Sequence, residues 1–237
     1  MSQSTFLTDR VRILIFFKKN HSLSDDEFKR YWLEEHSLAF KKFIEGKTGL
    51  IKCTSTNKSC RGSNRWVTST CWKTMTIWTS AEYFSDVVPV EEKFYDRKSA
   101  IIVRLNIVPM MDRSNEFPTP ARTETSPLLR EDRVRMVCAL QRKQGMTMDE
   151  MTKYWSGGHI SATSGTRLVK EIITGEQNHL VFPNPIVSLD KSVNMPLPTW
   201  DGFTLVDTPS LDTFLYPEDA KTMTEDRAKF LDELLNF

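Results

Sequence analysis

YWLEEH occupies residues 31–36 and YWSGGH residues 154–159. Each is a Tyr-Trp pair with a His four residues after the Trp, and the copies stand 123 residues apart. The spacing continues upstream without a gap. Asp9-Arg10-Val11-Arg12 answers Asp132-Arg133-Val134-Arg135, and Asp26-Glu27 answers Asp149-Glu150. Downstream, Ala39 answers Ala162. An ungapped match over about 30 residues points to duplication, and self-similarity at a fixed spacing is the first thing to decide about a fold.

Each copy reads as strand, turn and helix. VRILIFF (11–17) and VRMVCAL (134–140) are rich in β-branched and apolar residues. The turns KKNHSLS and QRKQGMT follow. Ser24-Asp-Asp-Glu27 and Thr147-Met-Asp-Glu150 then fit the capping box, in which hydroxyl and carboxylate satisfy the first free N–H groups reciprocally. Tyr, Trp and His therefore fall on a helix. At about 100° per residue, Phe28, Tyr31 and Trp32 share an apolar arc, and His36 sits at its rim. Met151, Tyr154, Trp155 and His159 repeat the arrangement. Gly157-Gly158 precede the second His, and this pair predicts an earlier helix end and a loosened His159.

Further out, IWTSAEYF (77–84) resembles VDTPSLDTF (206–214), with Phe84 answering Phe214 and Asp96-Arg97 answering Asp226-Arg227 at a spacing of 130. The seven extra residues of the second copy fall near FPNPIVSLDKSVNMPLPTW, which reads as a loop or lid. Each copy becomes β-α-β-β-α-β, two helices on one face of a four-stranded antiparallel sheet, the split βαβ pattern. The boundaries are 1–112 and 132–237, joined by a polar, Pro-containing linker at 113–131. One departure stands out. FLDELLNF falls where the first copy has the strand AIIVRLNI, yet its composition favours helix.

The composition excludes several classes. The net charge is +1, from 32 basic and 31 acidic side chains, so nothing advertises nucleic acid or an anionic membrane. No apolar run approaches the roughly 20 residues of a membrane span, and the N-terminus has no signal-peptide core. The four Cys show no metal spacing, and no GxSxG, HExxH or GxGxxG occurs. A cytoplasmic protein without metal or cofactor is the expectation.

LIFFKKNHSLSDDEFKRYWLEEH and CALQRKQGMTMDEMTKYWSGGH resemble the opening of an EthD-type domain, within the dimeric α/β-barrel superfamily. The resemblance implies an α+β fold in which two ferredoxin-like repeats pack sheet to sheet, here as an intramolecular barrel with further dimerisation left open. It implies small polyketide cyclases, dehydratases and similar lyases of secondary metabolism as relatives. It also implies haem-binding members and stress-induced proteins.

The residues bear that chemistry. His36 and His159 can move a proton near neutral pH, and Tyr31 or Tyr154 could polarise a carbonyl. A catalytic His36 has the unbroken helix in its favour, and His159 the longer loop beside it. Trp32, Trp155, Phe28 and Asp201 are candidates to line a site for a hydrophobic or aromatic small molecule. Each also has a structural reading: the Trp residues as anchors of helix on sheet, the His residues as hydrogen-bonders at a helix rim, and Asp201 as a turn former. His21 reads as a turn residue and His179 as a loop residue. The expected function is a cofactor-independent lyase, cyclase or isomerase on a polyketide-like molecule. The alternatives are a non-catalytic ligand-binding or stress-related barrel, and haem binding through one His.

Overall fold

A computed structural model of the chain describes residues 11–45, 50–55, 65–72, 81–112, 134–173, 175–188, 200–210 and 217–232. The linker 113–131, Phe214 and the Pro-rich segment beyond Ser188 lie outside the described residues. The chain divides into two compact units. One holds residues 11–106 and 182–188, the other 107–181 and 200–232.

The first unit begins with β1 (Val11–Lys19), whose seven residues from Val11 to Phe17 are all buried. Side chains alternate between the faces of a strand. Ile13, Ile15 and Phe17 accordingly pack beneath the helices, while Leu14 and Phe16 are buried on the opposite face. A continuous helical run follows: α1 (Asp25–Arg30), a π-helical turn π1 (Tyr31–His36) and α2 (Ser37–Ile44). Then come β2 (Leu50–Ser55), β3 (Arg65–Trp72), α3 (Ala81–Asp86), α4 (Val88–Phe94) and β4 (Tyr95–Asp112), of which residues 95–106 belong to this unit. The strands are antiparallel in the order β2-β3-β1-β4, the split βαβ order, with a register shift between Phe16 and Lys18 where β1 meets β4.

The second unit holds β5 (Val134–Leu140), α5 (Met148–Lys153), π2 (Tyr154–His159), α6 (Ile160–Thr163), a short π turn π3 (Leu168–Ile172), β6 (Gly175–Ser188, of which 175–181 belong to this unit), β7 (Gly202–Thr208) and α7 (Pro217–Arg227). Its strands run antiparallel in the order β6-β7-β5. Gly145 takes the left-handed φ of 84° that lets the turn after β5 enter α5, a conformation glycine adopts without a side-chain clash. His179, expected in a loop, lies on β6 opposite Phe203.

Two sequence expectations are corrected here. Gly157-Gly158 do not end the helix, because α6 continues it to Thr163. The described part of the C-terminal segment, residues 228–232, does not extend α7 either. The chain turns after Arg227, and Leu231 forms an isolated antiparallel bridge with Arg142, two residues past the end of β5. Lys143 N donates to Phe230 O at 2.9 Å, as Asn20 N donates to Phe94 O at 2.9 Å in the first unit. Phe230 therefore answers Phe94, at a spacing of 136 rather than 130, and the second copy carries thirteen extra residues rather than seven.

Candidate active site

Both capping boxes form: Ser24 and Thr147 each accept from the Glu three residues on, and each Glu carboxylate accepts back at 2.8 Å. The caps set the phase of the helix, so YWxxxH falls one turn later in each unit. There both helices widen to π geometry, with i→i+5 bonding. The two histidines then enter different environments.

In the first unit His36 is packed among rings. Trp32 stacks on it at 4.8 Å, Phe40 at 5.7 Å, and Phe94 meets it edge-on at 5.4 Å. Its Nε2 lies 3.4 Å from Oε1 of Glu91, a carboxylate only 4% exposed. Glu91 already has strong donors. Tyr83 OH reaches both oxygens at 2.9 Å, Tyr95 OH donates at 2.6 Å and Arg97 Nη1 at 2.8 Å. Burial alone would raise the Glu91 pKa, but the bonds from His36, Tyr95 and Tyr83 hold it below the usual carboxylate range. Burial, with the Glu91 charge second, pushes Tyr83 and Tyr95 well above ordinary tyrosine values. This cluster is saturated: Glu91 has little acceptor capacity left to offer a substrate.

The second unit is built otherwise. His159 Nδ1 lies 2.6 Å from Oδ2 of Asp226, on the last turn of α7. Tyr154 OH donates to Oδ1 of the same carboxylate at 2.7 Å, and Lys229 Nζ at 3.2 Å. Burial lowers the His159 pKa, and the Asp226 charge only partly offsets this, so the imidazole is neutral near pH 7. Asp226 is raised by burial but is held below its ordinary value by His159, Tyr154 and Lys229. An anionic Asp226 beside a neutral imidazole fixes the tautomer: Nδ1–H donates, and the Nε2 lone pair is left over. Nε2 has no hydrogen-bond partner among the described residues, and the side chain keeps 10% of its surface exposed. The ring on His159 is Phe230, at 5.3 Å. Where Phe40 stacks on His36, the second unit has Thr163, whose hydroxyl donates to His159 O at 2.8 Å.

The other candidates separate accordingly. Trp32 and Trp155 are buried anchors under their helices, and Phe28 is wholly buried between Phe17, Trp32 and Phe94. Tyr31 is half-buried with the Arg30 guanidinium 4.6 Å over its ring. Tyr154 is the tyrosine that joins a His–carboxylate pair. Asp201 accepts from Arg142 N at 2.9 Å and Nη1 at 2.8 Å, which pins the end of β5. A shallow groove of about 590 Å³ runs beside Tyr154 and Gly158, with Lys143, Met146 and Lys153 along it. Among the described residues no group of His, Cys, Asp and Glu could hold a metal ion, and no helix is long and apolar enough to cross a membrane.

The carboxylates were missed in the sequence. Glu91 and Asp226 stand 135 residues apart, off the 123 spacing that flags the histidines, so a scan at fixed offset passes over them. Matching Asp226 to Asp96 misleads too, since Asp96 is exposed on β4 and accepts from Lys98 N. The usable signal is an acidic residue three to four positions before a Phe, Glu91 before Phe94 at the end of α4 and Asp226 before Phe230 just past α7.

No protein-family model matches the chain, and no curated protein matches it. Solved structures do. A candidate chlorite dismutase is similar at 11% identity over 97% of this chain and 92% of its own, with a TM-score of 0.56. An anthrone oxidase-like protein is similar at 12% identity over 94% and 87%, TM-score 0.56. A candidate monooxygenase from Lactobacillus acidophilus NCFM is similar at 6% identity over 95% and 90%, TM-score 0.54. At such identities the likeness concerns the fold alone: the chain shares a mixed α+β fold with these structures, and its first unit has the ferredoxin-like strand order.

Proposed function

We propose that this chain is an acid–base enzyme that removes a proton from a carbon beside a carbonyl in a flat, hydrophobic or aromatic, polyketide-like molecule, without a cofactor. One observation carries the reading: the buried His159 holds its Nδ1 2.6 Å from Asp226, with Nε2 unpartnered among the described residues, and burial favours the neutral imidazole. Nε2 takes the proton, the C–H electron pair moves to the carbonyl oxygen as an enolate, and Asp226 stabilises the imidazolium that forms. Return of that proton to another carbon gives an isomer, and its delivery to a departing hydroxyl gives dehydration. Attack of the enolate carbon on a second carbonyl closes a ring. The last two outcomes correspond to the dehydratase and cyclase activities of the EthD-type family that the sequence resembles. An anthrone is a flat tricyclic ketone with an acidic C–H, so the name of the anthrone oxidase-like neighbour supports the substrate class.

The test is deuterium exchange from D₂O into the acidic C–H of anthrone, followed by NMR, which needs no knowledge of the product. The protein should accelerate exchange, and His159→Ala should lower that acceleration by about 10²–10⁴-fold. Wild-type exchange by both His159→Ala and Asp226→Asn would sink the reading.

We infer further that the chain is a tandem of two EthD-like repeats, 1–112 and 132–237, whose sheets pair within the chain as an intramolecular barrel. The apolar faces opposite the helices support this, with Leu14, Phe16, Ile101 and Val103 on one and Phe203 and Leu205 on the other.

A second reading is a ligand-binding barrel without turnover. The saturated Glu91 cluster favours it for the first unit, where His36 is a packing element. Haem is a poorer fit. His159 would hold the iron of such a group, but the groove beside Tyr154 and Gly158 is open and carries Lys143, Glu150 and Lys153 rather than an apolar lining.

A further inference from the structure

Gly158 differs from its counterpart in a way that reaches the dyad. A Cβ built on Gly158 would stand 2.8 Å from Tyr154 Cε2, 2.9 Å from Cδ2 and 3.1 Å from Cζ. The first two distances are closer than real Cβ contacts come. The ring cannot simply move away, since Phe230 lies 5.2 Å from it and its hydroxyl is bonded to Asp226 at 2.7 Å. At the matching position of the first unit stands Glu35, which has a Cβ and bonds toward Arg30 and Lys93. There the tyrosine takes another course, with Arg30 over its ring and no carboxylate at its hydroxyl among the described residues. Glycine in a helix interior costs stability relative to alanine, so its presence in π2 calls for a reason other than helix formation.

We propose that Gly158 is a positioning residue: its missing side chain lets Tyr154 lie against the helix and deliver its hydroxyl to Asp226, which tunes the carboxylate that holds His159. The inference deepens the acid–base reading and rests on it for its functional meaning, but the geometry can be tested without turnover. Tyr154 draws charge from Asp226 Oδ1, so losing that bond makes Asp226 a stronger partner for imidazolium and raises the pH at which His159 protonates. The other charges at the dyad are Lys229, on the same oxygen, and Arg227, and both stay in place.

The experiment is NMR titration of the His159 imidazole in full-length wild type, Gly158→Ala, Tyr154→Phe and the double variant. The expected result is an upward shift of the midpoint in both single variants, of equal size, with no further shift in the double. Unshifted His159 in Tyr154→Phe overturns the proposal, as does a wild-type midpoint in Gly158→Ala while Tyr154→Phe shifts. If Gly158→Ala fails to fold, Gly158→Ala/Tyr154→Ala decides. Restored folding means that the tyrosine ring was the obstacle, as proposed, and continued misfolding overturns the role. Because no substrate is used, failure here leaves the His159→Ala exchange test untouched, and failure there leaves this geometry untouched.

Discussion

Burial and the Asp226 charge act on His159 in opposite senses, and burial wins. The folded pKa lies below the unfolded value of about 6.5, so on acidification the unfolded chain takes the proton first. Stability should therefore fall as pH drops from about 6.5 toward the folded value. Asp226 adds to this lower down, since its contribution is full above about 3.9 and is lost as pH falls through its depressed folded value. Calorimetric melting of His159→Gln against pH should show a flatter profile near 6.5 than wild type, and an unchanged slope would contradict a buried neutral imidazole. Tyr83 and Tyr95 act at the alkaline end. Their raised values mean stability is full below about 10 and declines above it, with no tyrosinate absorbance from these two before unfolding. Removing Glu91 would strand Arg97 and two buried hydroxyls, so Glu91→Ala should cost about 3–5 kcal/mol in denaturant titration. The histidines should divide by role. His36→Ala loses ring contacts worth about 0.5–1.5 kcal/mol each and lowers the melting temperature without touching turnover. His159→Ala should lower turnover and, because it strips the buried Asp226 of its 2.6 Å partner, should cost stability as well.

At the scale of elements, the helices are specified locally and anchored by one residue each. The boxes at Ser24 and Thr147 begin them, and Thr147→Ala should cost about 1 kcal/mol. Trp155 is 3% exposed and packs with Leu140, Met151, Phe230 and Leu231. Trp155→Ala should cost about 3–5 kcal/mol by urea unfolding, and a loss below 1 kcal/mol would mean the helix is held by something else. The caps and the strands around them were legible because hydroxyl-to-carboxylate spacing and β-branched runs are local features. The π turns were not legible, because i→i+5 bonding leaves no residue signature that separates it from i→i+4.

For the whole molecule, two units with apolar sheet faces opposite their helices must bury those faces against something. Residues 1–120 expressed alone should therefore self-associate on size exclusion, and a stable monomer with a native-like melt would refute the pairing of the halves within one chain. The comparisons reach the same scale, since neighbours match along more than nine-tenths of the chain and share its fold while sharing few of its residues. Packing geometry tolerates such divergence as long as the pattern of buried positions persists.

The sequence by itself carried the two YWxxxH motifs and the strand–cap–helix opening around each, because these are written in short-range spacing. Only the tertiary structure decided how the copies differ. Asp226 meets His159 across 67 positions, and Glu91 meets His36 across 55, at offsets that insertions had shifted out of step. Gly157-Gly158 looked like a helix end. In the fold, Gly158 is space for the Tyr154 ring, because what a glycine omits matters only once a neighbour is there to fill it.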